Sequence, residues 1–377
     1  MNRWNQYGLP LLLALCSTLL VTVMGLVAED LLPAALAQII VFFALLALFL
    51  LVALLQLRYL WRRNTSGTLY YLRADSSRVP SLHGAAISAA AEQTQDLCAV
   101  RRTFSTATSD GAVDLRGIVG EVRAIFDAAL NADSSDSGYS VVPDFAWPVA
   151  VSIGYDWLPR PGTWLVAVDE GGPPAAFSYP ATGTHSAAPF APLPQLRHAA
   201  MVHGAPVLLP DGPTEDAAAQ RIRLLIAVSE GDMAEVVAAT SSAGRRLTAT
   251  ELADTGGRAP VFAVGYGATA DEPTLDLRGD GNGGHDLRAA ADQLTQAIRL
   301  YLDRFPNAHI ELVLDAPDIL SLAIGWRLAN PGDADMRSRI WEFWDRVVPL
   351  YGDIGPDREP RVVALWVHPA QAEPSLR

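Results

Sequence analysis

The sequence predicts an α/β protein, two Rossmann-like βαβ units in tandem, preceded by a membrane-spanning helical hairpin. Three observations predict it. Residues 1–63 hold two long uncharged runs. The remainder alternates short apolar runs with helical patterns. The tetrapeptide Asp-Leu-Arg-Gly occurs twice, at Asp114–Gly117 and Asp276–Gly279, in similar surroundings.

The hairpin comes first. No charged residue lies between Leu9 and Ala28 or between Leu31 and Leu57. Each run is long enough to cross about 30 Å of hydrocarbon as a helix. Glu29 and Asp30 form the polar turn between the expected spans, 9–28 and 31–57. A cleaved signal peptide is the competing reading of the first run, because Leu26-Val27-Ala28 ends in a small residue. Only Arg3 precedes that run, however, and it is long for a signal peptide. Arg58, Arg62 and Arg63 follow the second run, so the positive-inside rule places both termini and the remaining residues in the cytoplasm. Neither span carries an internal ionisable group that could relay protons. A two-span chain cannot enclose a pore alone, so any action on the lipid bilayer requires a homo-oligomer.

Composition narrows the partners. The net charge is −13 and all 28 basic residues are arginine. Extended binding to DNA or RNA is therefore not expected, since it needs a basic face. A small anionic ligand held by a few local arginines stays open. Cys16 and Cys98 are the only cysteines, which excludes a disulfide framework or a cysteine metal cluster. No cofactor and no metal are expected.

Strands are predicted at Thr68–Arg73, Leu97–Arg101, Trp164–Asp169, Arg223–Ser229, Pro260–Gly265, His309–Asp315 and Val362–Val367. Helices are predicted at Leu115–Asn131 and Asp286–Arg304, the second with Asp286 as N-cap. Gly171–Pro194 reads as a long surface loop, and Pro206–Glu215 as a seam between units spanning 64–210 and 211–377. Around the repeated tetrapeptide the order of elements is the same in both units. An apolar strand precedes each copy, at Ala99-Val100 and Ala263-Val264, and a long amphipathic helix follows. Extended stretches come next, at Ser140-Val141-Val142 and Ile310–Leu314. Ser152-Ile153-Gly154-Tyr155 and Ala323-Ile324-Gly325-Trp326 then close the pattern. Asp114 to Asp276 is 162 residues and Gly154 to Gly325 is 171, a difference that the Gly-rich segment Gly279–Gly284 accounts for. Open parallel sheets bind ligands beyond the carboxyl ends of their strands. Two such units would place two edges around one crevice, suited to a quasi-symmetric ligand.

No G-x-S-x-G elbow, Walker loop, H-E-x-x-H or zinc spacing is present, so catalysis is not expected. Candidate ligand contacts sit at the carboxyl edges instead. Arg101 and Arg102 end a predicted strand, with Phe104 just beyond. Guanidinium groups pair with phosphate and rings stack on bases. Tyr266 occupies the corresponding edge of the second unit. Ser76 lies in the loop after the first strand of one unit, and Ser229 and Glu230 in that of the other. Arg73, Trp147, Pro317 and Asp318 complete the set, although Asp318 reads first as an N-cap. Trp341, Phe343 and Trp344 read as core or protomer interface.

The segment Leu312-Val313-Leu314-Asp315-Ala316-Pro317-Asp318-Ile319-Leu320-Ser321-Leu322-Ala323-Ile324-Gly325 resembles the strand, Ala-Pro, small-residue helix and glycine of the SAVED domain. Trp341–Asp345 stands where that family carries a Tyr-Glu-Tyr strand, here with Trp and Phe for Tyr. The resemblance spans roughly Thr68 to Val367 and is clearest from Arg221 to Tyr351. It implies two fused CARF-like units that sense cyclic oligonucleotides in CBASS, a bacterial anti-phage system, joined here to a two-helix membrane effector. The implied ligand is a cyclic di- or trinucleotide made by a partner nucleotidyltransferase. Binding would drive oligomerisation and disruption of the bacterial inner membrane, ending in cell death or arrest. The competing expectations are a membrane-tethered α/β enzyme acting on a nucleotide-like substrate and a passive scaffold.

Overall fold

The computed structural model describes residues 67–76, 80–93, 95–105, 112–133, 139–159, 162–168, 174–178, 191–202, 205–216, 218–228, 240–242, 245–247, 259–266, 275–277, 284–330, 343–354 and 360–371. Five helical residues of the amino-terminal part, Leu46, Phe49, Leu50, Ala53 and Leu54, are also described, and all but Ala53 are exposed. The rest of the predicted spans, 9–28 and 31–57, lies outside the described residues. Among those described, no helix is long and apolar enough to cross a membrane.

The first unit runs β1 (Thr68–Ser76), α1 (His83–Glu92), β2 (Asp96–Phe104), β3 (Ala112–Asp114), α2 (Arg116–Ala132), β4 (Tyr139–Phe145), α3 (Trp147–Asp156), β5 (Thr163–Ala167) and β6 (Ala175–Ser178). Its five-stranded sheet has the order β2-β1-β4-β5-β6, with β6 alone antiparallel. β1 is an interior strand whose first five residues are largely apolar on both faces, as in strands covered on both sides. Leu69 and Tyr71 face Ala86 and Ala89 of α1. Tyr70 and Leu72 face the opposite way, into the main core. In α2, Val119, Val122, Phe126 and Leu130 recur at helical spacing and are all buried.

The chain continues through β7 (Leu196–Val202), β8 (Ala205–Leu208), β9 (Arg221–Ala227), β10 (Thr240–Ser242), β11 (Arg245–Leu247), β12 (Val261–Tyr266), α4 (Leu287–Arg304), β13 (His309–Asp315), α5 (Asp318–Ala329), α6 (Phe343–Arg346), β14 (Val347–Ile354) and β15 (Pro360–Trp366). Asp286 caps α4 as expected, its side chain accepting from the Arg288 N–H at 2.9 Å. The eight-stranded sheet has the order β3-β15-β14-β13-β9-β12-β7-β8. Within it, β12-β9-β13-β14-β15 repeats the strand order and directions of β2-β1-β4-β5-β6. The helix after β4 corresponds to the helix after β13, which gives the duplication a topological form.

The two units share one core because α3 and α5 cross at their glycines. A Cβ on Gly154 would lie 2.1 Å from the Leu322 carbonyl oxygen, and one on Gly325 would lie 2.1 Å from that of Val151. Only glycine admits backbones this close. The units also exchange elements. β3 leaves the first sheet and pairs in parallel with β15 at the edge of the second.

Several expectations are corrected. Part of the predicted loop Gly171–Pro194 is strand β6, because Leu165, Val166 and Ala167 of β5 offer Ala175–Phe177 an open edge. Phe343–Arg346 is a helical turn and not the start of the aromatic strand the resemblance implies; the strand begins at Val347. Phe343 and Trp344 are buried there, with Phe343 stacked on Tyr155 and Trp344 on His368, so both are core.

Candidate functional site at the meeting of two carboxyl edges

β1 and β4 end side by side, with Arg73 opposite Asp144. The Arg73 guanidinium is buried and donates to Asp144 Oδ2 at 2.6 Å and to the Pro80 carbonyl at 3.1 Å. Asp144 Oδ2 also accepts from the Tyr71 hydroxyl and from the Leu82 N–H at 3.1 Å. Tyr71 in turn meets Ser81 Oγ at 2.9 Å. Buried charges persist only when paired and hydrogen-bonded in this way. Burial, reinforced by the bond to Asp144, pushes the Tyr71 phenol above its usual pKa. The network anchors the entry to α1.

The second unit reaches into the same place. Asp318, the first residue of α5, is half-buried, and its Oδ2 accepts from the Phe145 N–H at 3.1 Å. Phe145 is the last residue of β4. From β14, the Tyr351 hydroxyl donates to Asp75 Oδ1 at 3.2 Å. The carboxyl ends of β1, β4 and β14 and the start of α5, just past β13, therefore converge. Neither α3, with Ala146 at its N-cap, nor α5, with Pro317, has a side-chain cap. Their positive dipole ends face this edge.

Burial pushes the Asp318 carboxyl well above the usual carboxylate range. The Phe145 N–H opposes the shift, and nearby Asp144 and Asp75 add to it. The junction thus brings together the carboxyl groups of Asp75, Asp144 and Asp318, while its buried arginine is committed to Asp144. Such a floor can exchange hydrogen bonds with the polar groups of a ligand. Anionic groups would have to lie toward the rim, where Arg101 stands exposed beside Arg73 in register.

The predicted residues fall into three groups. Arg73 and Asp318 belong to the junction, and Pro317 caps α5 beside it; the N-cap role expected for Asp318 falls to Pro317, and Asp318 bonds across to the other unit. Ser76 is the last residue of β1, and Arg101 lies in β2 beside Arg73, three residues before the strand ends. The remaining described residues point elsewhere. Arg102 is paired with Glu121 on α2. Phe104 and Trp147 are buried in the main core, and so is Tyr266, whose hydroxyl donates to Gln293 at 3.1 Å. Ser229 and Glu230 lie outside the described residues. Tyr71, Asp144 and Tyr351 were not singled out as contacts. One signal was available for Asp144: it precedes Gly154 by the same ten residues that separate Asp315 from Gly325.

Fold and junction together define a duplicated α/β protein whose two mixed sheets meet at the carboxyl edges of their parallel strands. No protein-family model matches the chain, and no curated protein does. Among solved structures it is similar to the Acinetobacter baumannii Cap4 SAVED/CARF-domain containing receptor. With the cyclic trinucleotide 2′3′3′-cAAA, that receptor is 12% identical over 86% of this chain and 55% of its own, at a TM-score of 0.38. With 3′3′3′-cAAA, the values are 13%, 86%, 56% and 0.39. A third structure of the receptor gives 14%, 84%, 53% and 0.32. The chain spans a little over half the length of these receptors.

Proposed function

We propose that this chain is a cyclic-oligonucleotide-activated membrane effector of bacterial anti-phage defence. A SAVED-type module binds a cyclic di- or trinucleotide at the junction. The bound state favours association with further copies, and the clustered amino-terminal hairpins disrupt the inner membrane. The observation that carries the reading is the direct bonding of two carboxyl edges, Asp318 to Phe145 and Tyr351 to Asp75. In parallel α/β sheets this is where ligands bind, and a duplicated edge suits a ligand built of repeated nucleotides. The carboxyl groups of Asp75 and Asp318 fit the polar edges of bases, and Arg101 at the rim fits phosphate. The membrane step rests on the two uncharged runs, 9–28 and 31–57. A ligand that binds the associated state more tightly is sufficient to drive assembly.

The test uses the full chain in dye-loaded liposomes and a panel of cyclic di- and trinucleotides. At least one should bind and release dye. If none binds, the sensor reading is wrong; binding without leakage on clustering removes the membrane step alone.

A second reading has one observation in its favour. A carboxyl with raised pKa beside other carboxylates is the arrangement of an acid–base pair. A membrane-tethered enzyme would return the bound nucleotide cleaved, whereas a sensor returns it intact.

A further inference from the structure

The turn that follows β15, Val367–Gln371, is firmly held. Val367, His368 and Gln371 are all buried. Gln371 closes the turn on itself. Its Oε1 accepts from the N–H groups of Val367 at 2.5 Å and His368 at 2.9 Å, and its Nε2 donates to the Leu365 carbonyl at 3.3 Å.

The turn is then fastened to the other unit. Ser152 Oγ on α3 donates to the Val367 carbonyl at 2.8 Å. His368 Nδ1 accepts from the Ala370 N–H at 3.1 Å, which leaves Nε2 to donate to Asp156 Oδ1 on α3 at 3.3 Å. The imidazole lies flat on Trp344 of the second unit, with ring centroids 4.9 Å apart and planes 5° apart, and edge-on to Tyr155 of the first. Just before the turn, the Trp366 carbonyl accepts from the Leu115 N–H at 2.7 Å, and Arg116 lies over the Trp366 ring. Three consecutive residues of the second unit, Trp366 to His368, therefore sit between the end of β3 and α3 of the first.

We infer that this turn is a strap that locks the two units together and fixes the spacing of their carboxyl edges before any ligand arrives. A ligand then acts by what it presents outward from the junction and not by drawing the units closed. The strap does not depend on the identity of the ligand proposed above.

The test is a distance measurement on the full-length, unliganded protein. Nitroxide labels are placed at Ile87→Cys on α1 and Leu208→Cys on β8, both exposed positions. Cys16 and Cys98 are replaced by serine, and labelled protein is diluted with unlabelled so that only distances within one chain are read. The parent should show a single narrow distance. Deleting residues 368–377 should broaden it or add a second component, with far-ultraviolet circular dichroism unchanged. The double variant Ser152→Ala/Gln371→Ala keeps the chain complete and decides the matter if the deletion does not fold. A parent with several distances, or a foldable variant as narrow as the parent, overturns the inference.

Discussion

Each unit buries an ion-pair network in its sheet, but at opposite ends. In the first, Arg73 and Asp144 lie toward the carboxyl ends of β1 and β4, and Tyr71 joins them from mid-strand. In the second, Arg223 pairs with Glu311 through Nε at 2.9 Å and Nη2 at 2.6 Å, and Arg221 joins them, all in the first three positions of β9 and β13. The equivalent carboxyl end of β9 is Ile226-Ala227-Val228, aliphatic and buried. A pair at the amino end of a parallel sheet stiffens the strands, while one at the carboxyl end shapes the place where ligands bind. The copies thus differ in where their buried charges lie. Polar chemistry concentrates in the first unit, and the second contributes Asp318 and Tyr351 from across the junction.

Breaking each network tests that division. Asp144→Ala leaves Arg73 buried without its carboxylate, and Glu311→Ala does the same to Arg223. Each should cost about 3–5 kcal/mol in urea unfolding. Only Asp144→Ala should also abolish cyclic-nucleotide binding under conditions where both variants remain folded. Equal binding by the two would end the functional contrast.

Next in size is the crossing that joins the units. Gly154→Ala and Gly325→Ala each drive a methyl group into the opposite backbone. Each should lower stability by roughly 3 kcal/mol, and the double variant should lose less than the sum, because one widened crossing serves both. Additive losses would show that the two contacts relax independently.

The smallest effect carries a sign. Asp318 has a raised pKa in the folded chain, so the fold binds more protons there than the unfolded chain does. Stability from this group is full below the ordinary aspartate pKa and falls as pH rises through the raised one. Asp318→Asn keeps an acceptor for the Phe145 N–H and cannot ionise. It should be more stable than the parent at neutral pH, with the advantage vanishing as pH falls toward the ordinary aspartate value. An advantage independent of pH would assign the effect to packing.

Most strands and the long helices were legible because periodicity and capping are local. Asp286, Leu287, Ala290 and Leu294 mark α4 without reference to anything distant. The repeated tetrapeptide served as a register mark through its leucine. Leu115 and Leu277 are both buried, whereas Arg116 is paired with Asp114 and Arg278 lies outside the described residues. Elements that take their form from a remote partner were not legible. β3 is three residues long and a strand only because β15 lies beside it. The site divides along the same line. Arg73 and Asp318 were named from their places at strand ends, but Tyr351 meets Asp75 across 276 residues, a pairing without any local trace.

The exchanged strand also bears on synthesis. Ala112 finds its partner in Ala364, about 250 residues later, close to the end of the chain. At ribosomal rates of about 5–20 residues per second, that partner appears on the order of 10–50 s after β3 is made. Over that interval the β3 segment and the face of α3 that meets Val367 and His368 have nothing to close on. The nascent first unit thus carries an unpaired strand edge until β15 and the turn after it are made.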